Sequence, residues 1–155
     1  MTERFRLCCS DLTPNIRFAR QKNGLHIFAI DGSDLNVPAD MRDSSTFISN
    51  NSNQGGYHQF HINLTYDLLE QRYSDVVIQP RTEMREVSAA CEMVDRSTVA
   101  RNSLFILDRG FESLNLMAHI VSHGSFFLIR AQEIRSSFRS FAGWLNDIGT
   151  VPYYT

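Results

Sequence analysis

The sequence predicts an α/β domain built on a mixed sheet of about five strands with flanking helices, and three observations predict it. First, Tyr57 to Asp67 alternates apolar and polar residues and is followed by a second β-like segment, Tyr73 to Pro80. Second, two short unbroken apolar runs, His26 to Ile30 and Leu104 to Leu107, have the form of central strands buried on both faces. Third, from Thr82 onward, segments with helical spacing of apolar residues alternate with such runs, the pattern of strands joined by helices. A chain of 155 residues, 43% apolar and with eleven phenylalanines, is long enough for one domain with a sizeable core.

Taken in order, Asp11 to Gly24 reads as a short helix closed by Asn23-Gly24, a glycine stop. His26 to Ile30 is then a central strand ending at Asp31-Gly32. The Ser- and Asn-rich stretch from Ala39 to Gly56 is expected to be a mobile loop. Tyr57 to Asp67 is a half-buried strand, with Phe60, Ile62, Leu64 and Tyr66 on one face and Gln59, His61, Asn63 and Thr65 on the other. Tyr73 to Pro80, carrying Val76-Val77-Ile78, is its antiparallel neighbour across Glu70-Gln71-Arg72. Thr82 is placed to cap a helix whose stripe is Met84, Val87, Cys91 and Val94, with Glu83 and Glu86 near the positive end of the helix dipole. Leu104 to Leu107 forms the next buried strand. It ends at Asp108-Arg109-Gly110-Phe111 and leads into a helix with Leu114, Met117, Ala118 and Val121 inward, stopped by Gly124. Ser125 to Ile129 is a last strand, and Ser136 to Ile148 a final amphipathic helix with Phe138, Phe141, Leu145 and Ile148 on one face. The order β, β, β, α, β, α, β, α is that of the ribonuclease H-like arrangement, in which the strands before Asp31 and Asp108 lie side by side and parallel.

Composition narrows the function classes. The net charge of −2 and pI near 6.2 lack the basic footprint of an autonomous nucleic-acid binder, and Lys22 is the single lysine. Three cysteines, with Cys8 adjacent to Cys9, fit neither a zinc spacing nor a CxxC redox pair. No apolar stretch has the form of a signal peptide or reaches membrane-span length, so a cytoplasmic chain with no membrane partner is expected. There is no P-loop, no G-x-G-x-x-G and no G-x-S-x-G elbow.

The chemistry rests on Asp31 and Asp108. Each directly follows an apolar strand, and ligands of open α/β sheets sit at such strand ends. Two-metal phosphodiester chemistry needs hard oxygen ligands of this kind. Each aspartate also has a structural reading. Asp31-Gly32 could be the type I′ turn of a hairpin between Ile27–Ile30 and Leu35–Val37, and Asp108 could simply accept hydrogen bonds from the turn that follows it. His119 and His123 stand four apart on one helix, a spacing that can hold zinc, but without an H-E-x-x-H pattern or an evident third ligand. His58 and His61 fall on opposite strand faces, and Asp34 and Asp67 read as surface residues.

Ile27-Phe28-Ala29-Ile30-Asp31-Gly32-Ser33, with Leu35 and Pro38 following, resembles the first catalytic motif of insertion-sequence DDE transposases, and Asp108-Arg109-Gly110-Phe111 resembles the second. Gly56-Tyr57-His58, Glu83-Met84-Arg85-Glu86 and Phe127-Leu128-Ile129-Arg130 support the match, which runs from about Leu12 to Arg130. The resemblance implies a ribonuclease H-like core that cuts and rejoins DNA at transposon ends with three carboxylates and Mg²⁺ or Mn²⁺, in a parent protein that acts as a dimer on DNA. By position, Asp31 and Asp108 are the first two carboxylates and metal ligands. The family's third is a Glu within Y-x-x-R-x-x-x-E, and no such segment follows Arg130; Asp147 is a substitute whose neighbours Trp144-Leu145-Asn146 and Ile148-Gly149 do not match. The expectation is therefore residues 1–155 as one partial catalytic core, without the third-carboxylate segment and the N-terminal DNA-binding region, and inactive alone. The competing expectations are a non-catalytic ribonuclease H-like binding module and an autonomous metal-dependent nuclease using Asp147.

Overall fold

The computed structural model describes residues 20–39, 43–49, 55–99 and 101–130. Six strands and two helices are present among them: β1 (His26–Val37), β2 (Phe47–Ser49), β3 (Gly56–Asp67), β4 (Arg72–Pro80), α1 (Glu86–Asp95), β5 (Ser103–Leu107), α2 (Leu114–Ser122) and β6 (Phe126–Ile129). They form one mixed sheet in the order β2-β3-β1-β5-β6, with β4 also beside β3. β3 is antiparallel to β1, β2 and β4, while β1, β5 and β6 run parallel. This is the predicted α/β, ribonuclease H-like arrangement. The extra strand, β2, lies in the stretch expected to be a loop and pairs Phe47 with His58 and Ser49 with Gly56. Three residues are too few for an alternating pattern to register in the sequence.

β1 and β5 bury every second side chain beneath the two helices. Phe28, Ile30, Phe105 and Leu107 meet Ala89, Ala90, Met93 and Val94 of α1 and Leu116 and Ile120 of α2. The rings of Phe28 and Phe105 stack with centroids 5.6 Å apart, each residue 1% exposed.

β3 has the two predicted faces, but the face turned to the helices is the polar one. His61, Asn63, Thr65 and Asp67 are buried, whereas Phe60, Ile62, Leu64 and Tyr66 are half-buried on the other side. Pairing with β1 decides this. Phe28 lies opposite Asp67, Ile30 opposite Thr65 and Gly32 opposite Asn63, and directly paired residues share a face. Local bonds offset part of the cost of this burial, although the side-chain amide of Asn63 has no hydrogen-bond partner among the described residues. Asp67, far from being a surface residue, accepts from the amides of Leu69 and Glu70 at 2.9 and 3.0 Å and shapes the turn into β4. The Thr65 hydroxyl donates to Met93 Sδ at 3.2 Å.

Other local expectations are corrected. Asn23 and Gly24 have φ of 54° and 78°, and Lys22 and Leu25 exchange both backbone hydrogen bonds. Residues 22–25 are thus a tight turn of the Asn-Gly kind rather than a helix stop. Thr82 does not cap α1: its hydroxyl donates to the Ser45 carbonyl within a 3₁₀ turn, and the helix starts at Glu86 with Arg85 in the capping position. On α2 the buried residues are Leu116, Met117 and Ile120, while Leu114 is exposed. Asn115, His119 and Ser122 form one polar stripe, and the apolar arc beyond it is too wide for spacing alone to fix which residues face inward. The predicted helix Ser136 to Ile148, with Asp147 in it, and most of the predicted helix from Asp11 lie outside the described residues.

Candidate strand-end site

Asp31 is no hairpin turn. β1 passes straight through Asp31-Gly32 to Val37, keeping its antiparallel partner β3 throughout. At Asp31 the other partner changes. The parallel pairing with β5 runs from His26 opposite Ser103 to Ile30 opposite Leu107 and stops there. The next residues are Asp31 and Asp108, so the two aspartates occupy equivalent positions at one end of adjacent parallel strands, whose spacing is about 4.8 Å. Asp108 keeps an extended backbone, φ −76° and ψ 170°, so strand alternation carries on to it. Asp31 therefore shares a face with Ile27 and Ala29, and Asp108 with Leu104 and Ile106, both on the side away from α1 and α2.

Both carboxylates are exposed. Asp108 makes no side-chain bond to the 3₁₀ turn Arg109–Phe111 that it precedes. Asp31 Oδ1 accepts from its neighbour's amide, Gly32 N, at 2.8 Å. Neither structural reading accounts for the pair.

The same register adds a residue that the motif reading took only as support. β6 pairs with β5 up to Ile129 opposite Leu107, so Arg130 stands beside Asp108 at the third parallel strand end. Asp31, Asp108 and Arg130 each directly follow an unbroken apolar run, His26 to Ile30, Leu104 to Leu107 and Phe126 to Ile129. Counting one residue past each apolar run would have found all three.

On the helix side of this end lies a charged cluster. The His61 side chain, 5% exposed, sits between two carboxylates: Nδ1 is 2.7 Å from Asp34 Oδ1 and Nε2 is 3.1 Å from Glu86 Oε1. The second contact is off the line of a hydrogen bond, leaving an electrostatic approach. Arg81 Nε donates to Asp34 Oδ2 at 3.1 Å. The hydrogen bond from His61, and then that from Arg81, hold the Asp34 carboxyl below its ordinary 3.8 against the opposing effect of burial. Asp34 reads from sequence as a plain surface residue, and the pairing of β1 with β3 is what sets it opposite His61.

A separate cluster ties the helices together at the far end of the sheet. His119 Nδ1 and His123 Nε2 both approach Asp95 Oδ1, at 2.8 and 3.0 Å. Asp95 ends α1, where the helix dipole disfavours an anion. Burial pushes its carboxyl up, but the bonds from His119 and His123 outweigh that and hold it below 3.8. A carboxyl depressed in the folded state stabilises above its unfolded value and loses that contribution as pH falls through the lower folded value. The stability gap between the wild type and a His119→Ala/His123→Ala double variant should therefore be present at about pH 5 and shrink as pH drops below the ordinary carboxylate range, as acid-titrated thermal melts would show. Among the described residues, no group of three or more His, Cys, Asp and Glu side chains is arranged to hold a metal ion. Also among them, no helix is long and apolar enough to cross a membrane.

A family model described as "Transposase DDE domain" matches residues 22–143. No curated protein matches the chain. Among solved structures, the chain is similar to one chain of a cryo-electron microscopy structure of the simian T-cell lymphotropic virus intasome in complex with the PP2A regulatory subunit B56 gamma. The identity is 14% and the TM-score 0.43, over 86% of this chain and 46% of that one. The present chain thus spans about half the length of that structural relative.

Proposed function

The chain belongs to the transposase DDE domain family, and from that premise we propose that Asp31 and Asp108 are two of the carboxylates of a metal-dependent site that cuts and rejoins DNA at transposon ends. The observation that carries the reading is the parallel register of β1 and β5, which runs directly into the two aspartates. Two exposed carboxylates, neither used to cap a turn, fit a hard divalent ion that takes oxygen ligands. Bound Mg²⁺ or Mn²⁺ would supply activation of the attacking oxygen and stabilisation of the leaving one.

The chain's own residues hold and orient. Asp31 and Asp108 provide the oxygen ligands, and Arg109 and Arg130, both exposed and next to them in sequence or register, suit contact with the DNA phosphates. A third carboxylate completes the set from outside the described residues, either in a further segment of the transposase or, in the competing version, at Asp147. DNA held by the 155 residues alone is bound weakly, because a net charge of −2 leaves little counterion release. The whole protein acts in the cytoplasm as a dimer on DNA.

Metal-linked stability tests the site. A ligand that binds only the folded state adds RT ln(1 + [L]/Kd), so millimolar Mn²⁺ on a weak two-carboxylate site should raise stability by at most about 1 kcal/mol. Asp31→Asn should remove that increment. An equal Mn²⁺-induced rise in melting temperature in the variant would rule Asp31 out as a ligand and favour a non-catalytic module.

A further inference from the structure

Glu86 reaches the underside of both strand ends. It is the first residue of α1, on the helix side of the sheet, while Asp31 and Asp108 belong to the opposite side. A Cβ added to Gly32 would lie 2.8 Å from Glu86 Oε1 and 2.6 Å from His61 Nε2. A Cβ added to Gly110 would lie 3.9 Å from the other carboxylate oxygen, Oε2. One carboxylate therefore stands between the residue that follows Asp31 and the turn that follows Asp108. At Gly32 it fits because that position lacks a side chain, and at Gly110 the approach is an ordinary van der Waals contact. His61 holds it from behind, itself anchored through Asp34 to Arg81.

We propose that Glu86 is a positioning residue for the Asp31 and Asp108 pair: its carboxylate, oriented by His61, packs beneath Gly32 and Gly110 and so fixes the separation of the two ligands above. The inference rests on the reading of Asp31 and Asp108 as metal ligands. It makes Gly32 part of the device, since a methyl group there would displace both Glu86 and His61. Glu86 acts through backbone and not as a ligand, in keeping with its place on the helix side. Groups that orient metal ligands typically change affinity by about 10–100-fold when lost.

The test is Mn²⁺ binding to the 155-residue chain, followed by the electron paramagnetic resonance signal of free Mn²⁺, with thermal melting as the control for folding. Glu86→Gln is expected to weaken Mn²⁺ binding about tenfold with an unchanged number of ions bound and little change in melting temperature. Glu86→Asp, which keeps the charge but withdraws it from the two glycines, should also weaken binding, and it carries the test if the glutamine variant folds poorly. Glu92→Gln, on the same helix, should bind as the wild type does. If Asp31→Asn and Asp108→Asn weaken binding but neither Glu86 variant does, the positioning role is wrong and the site stands. If the aspartate variants bind like the wild type, or the wild type binds no Mn²⁺, the site itself fails and the role fails with it. A loss of one bound ion in Glu86→Gln would make Glu86 a ligand and overturn the positioning role.

Discussion

Strand cleavage by the transposase that carries this domain is expected to fall about 10²–10³-fold when Asp31 or Asp108 is replaced by asparagine, and the 155 residues alone are expected to nick DNA weakly or not at all. Metal stabilisation of the charge that develops at phosphorus contributes several kcal/mol to the barrier, and each 1.36 kcal/mol is about tenfold in rate. Asparagine keeps the shape of the side chain but removes the charge that holds a divalent ion. Two carboxylates without a third leave such ions incompletely coordinated, which is why the isolated chain should be weak. Plasmid nicking in Mg²⁺ and in Mn²⁺ measures both effects. Robust nicking that Asp147→Asn abolishes would make Asp147 the third carboxylate, and nicking indifferent to Asp31→Asn and Asp108→Asn would come from another nuclease.

Phe105→Ala is expected to cost about 3–5 kcal/mol of stability, the range for emptying a buried aromatic site. Phe105 is 1% exposed, on the central strand β5, and its ring stacks on Phe28 at 5.6 Å beneath both helices. Small-residue neighbours such as Ala89 and Ala90 have little reach to refill the space. Set against a typical total of about 5–15 kcal/mol, such a loss takes a large part of the folding free energy. Phe126→Ala, on the edge strand and 55% exposed, should cost under about 1 kcal/mol. Urea denaturation of the two variants separates them. Similar midpoints would mean that the core does not lie between β5 and the helices.

The parts of the fold that were legible in the sequence are those set by local pattern. Apolar runs gave the central strands, alternation gave β3, and the placement of Asp31 and Asp108 after two such runs put both at one sheet end. What pairing partners decide was not legible. Nothing in β3 alone says that its polar face, with His61, Asn63, Thr65 and Asp67, turns toward the helices, because that follows from its register with β1. The same register brings Asp34 to His61, and α1 then adds Glu86. Asp34 and His61 look like ordinary polar residues in sequence, and Glu86 stands out there only as part of a supporting motif at a helix start. Asn23-Gly24 shows a different limit: one dipeptide serves either a helix end or a two-residue turn, and only the exchange of hydrogen bonds between Lys22 and Leu25 decides.

The parallel pairing of β1 with β5 also governs how the molecule comes into being. β3 and β4 are joined by a short turn and can zip together as a hairpin within about 1–10 μs. His26 and Ser103, by contrast, are partners 77 positions apart, and closing that span sacrifices chain freedom before any contact rewards it. The hairpin can form early, whereas Asp31 and Asp108 become neighbours only when this long-range pairing closes, so the end of the sheet with the candidate site is expected to be among the last regions to take shape as the chain folds.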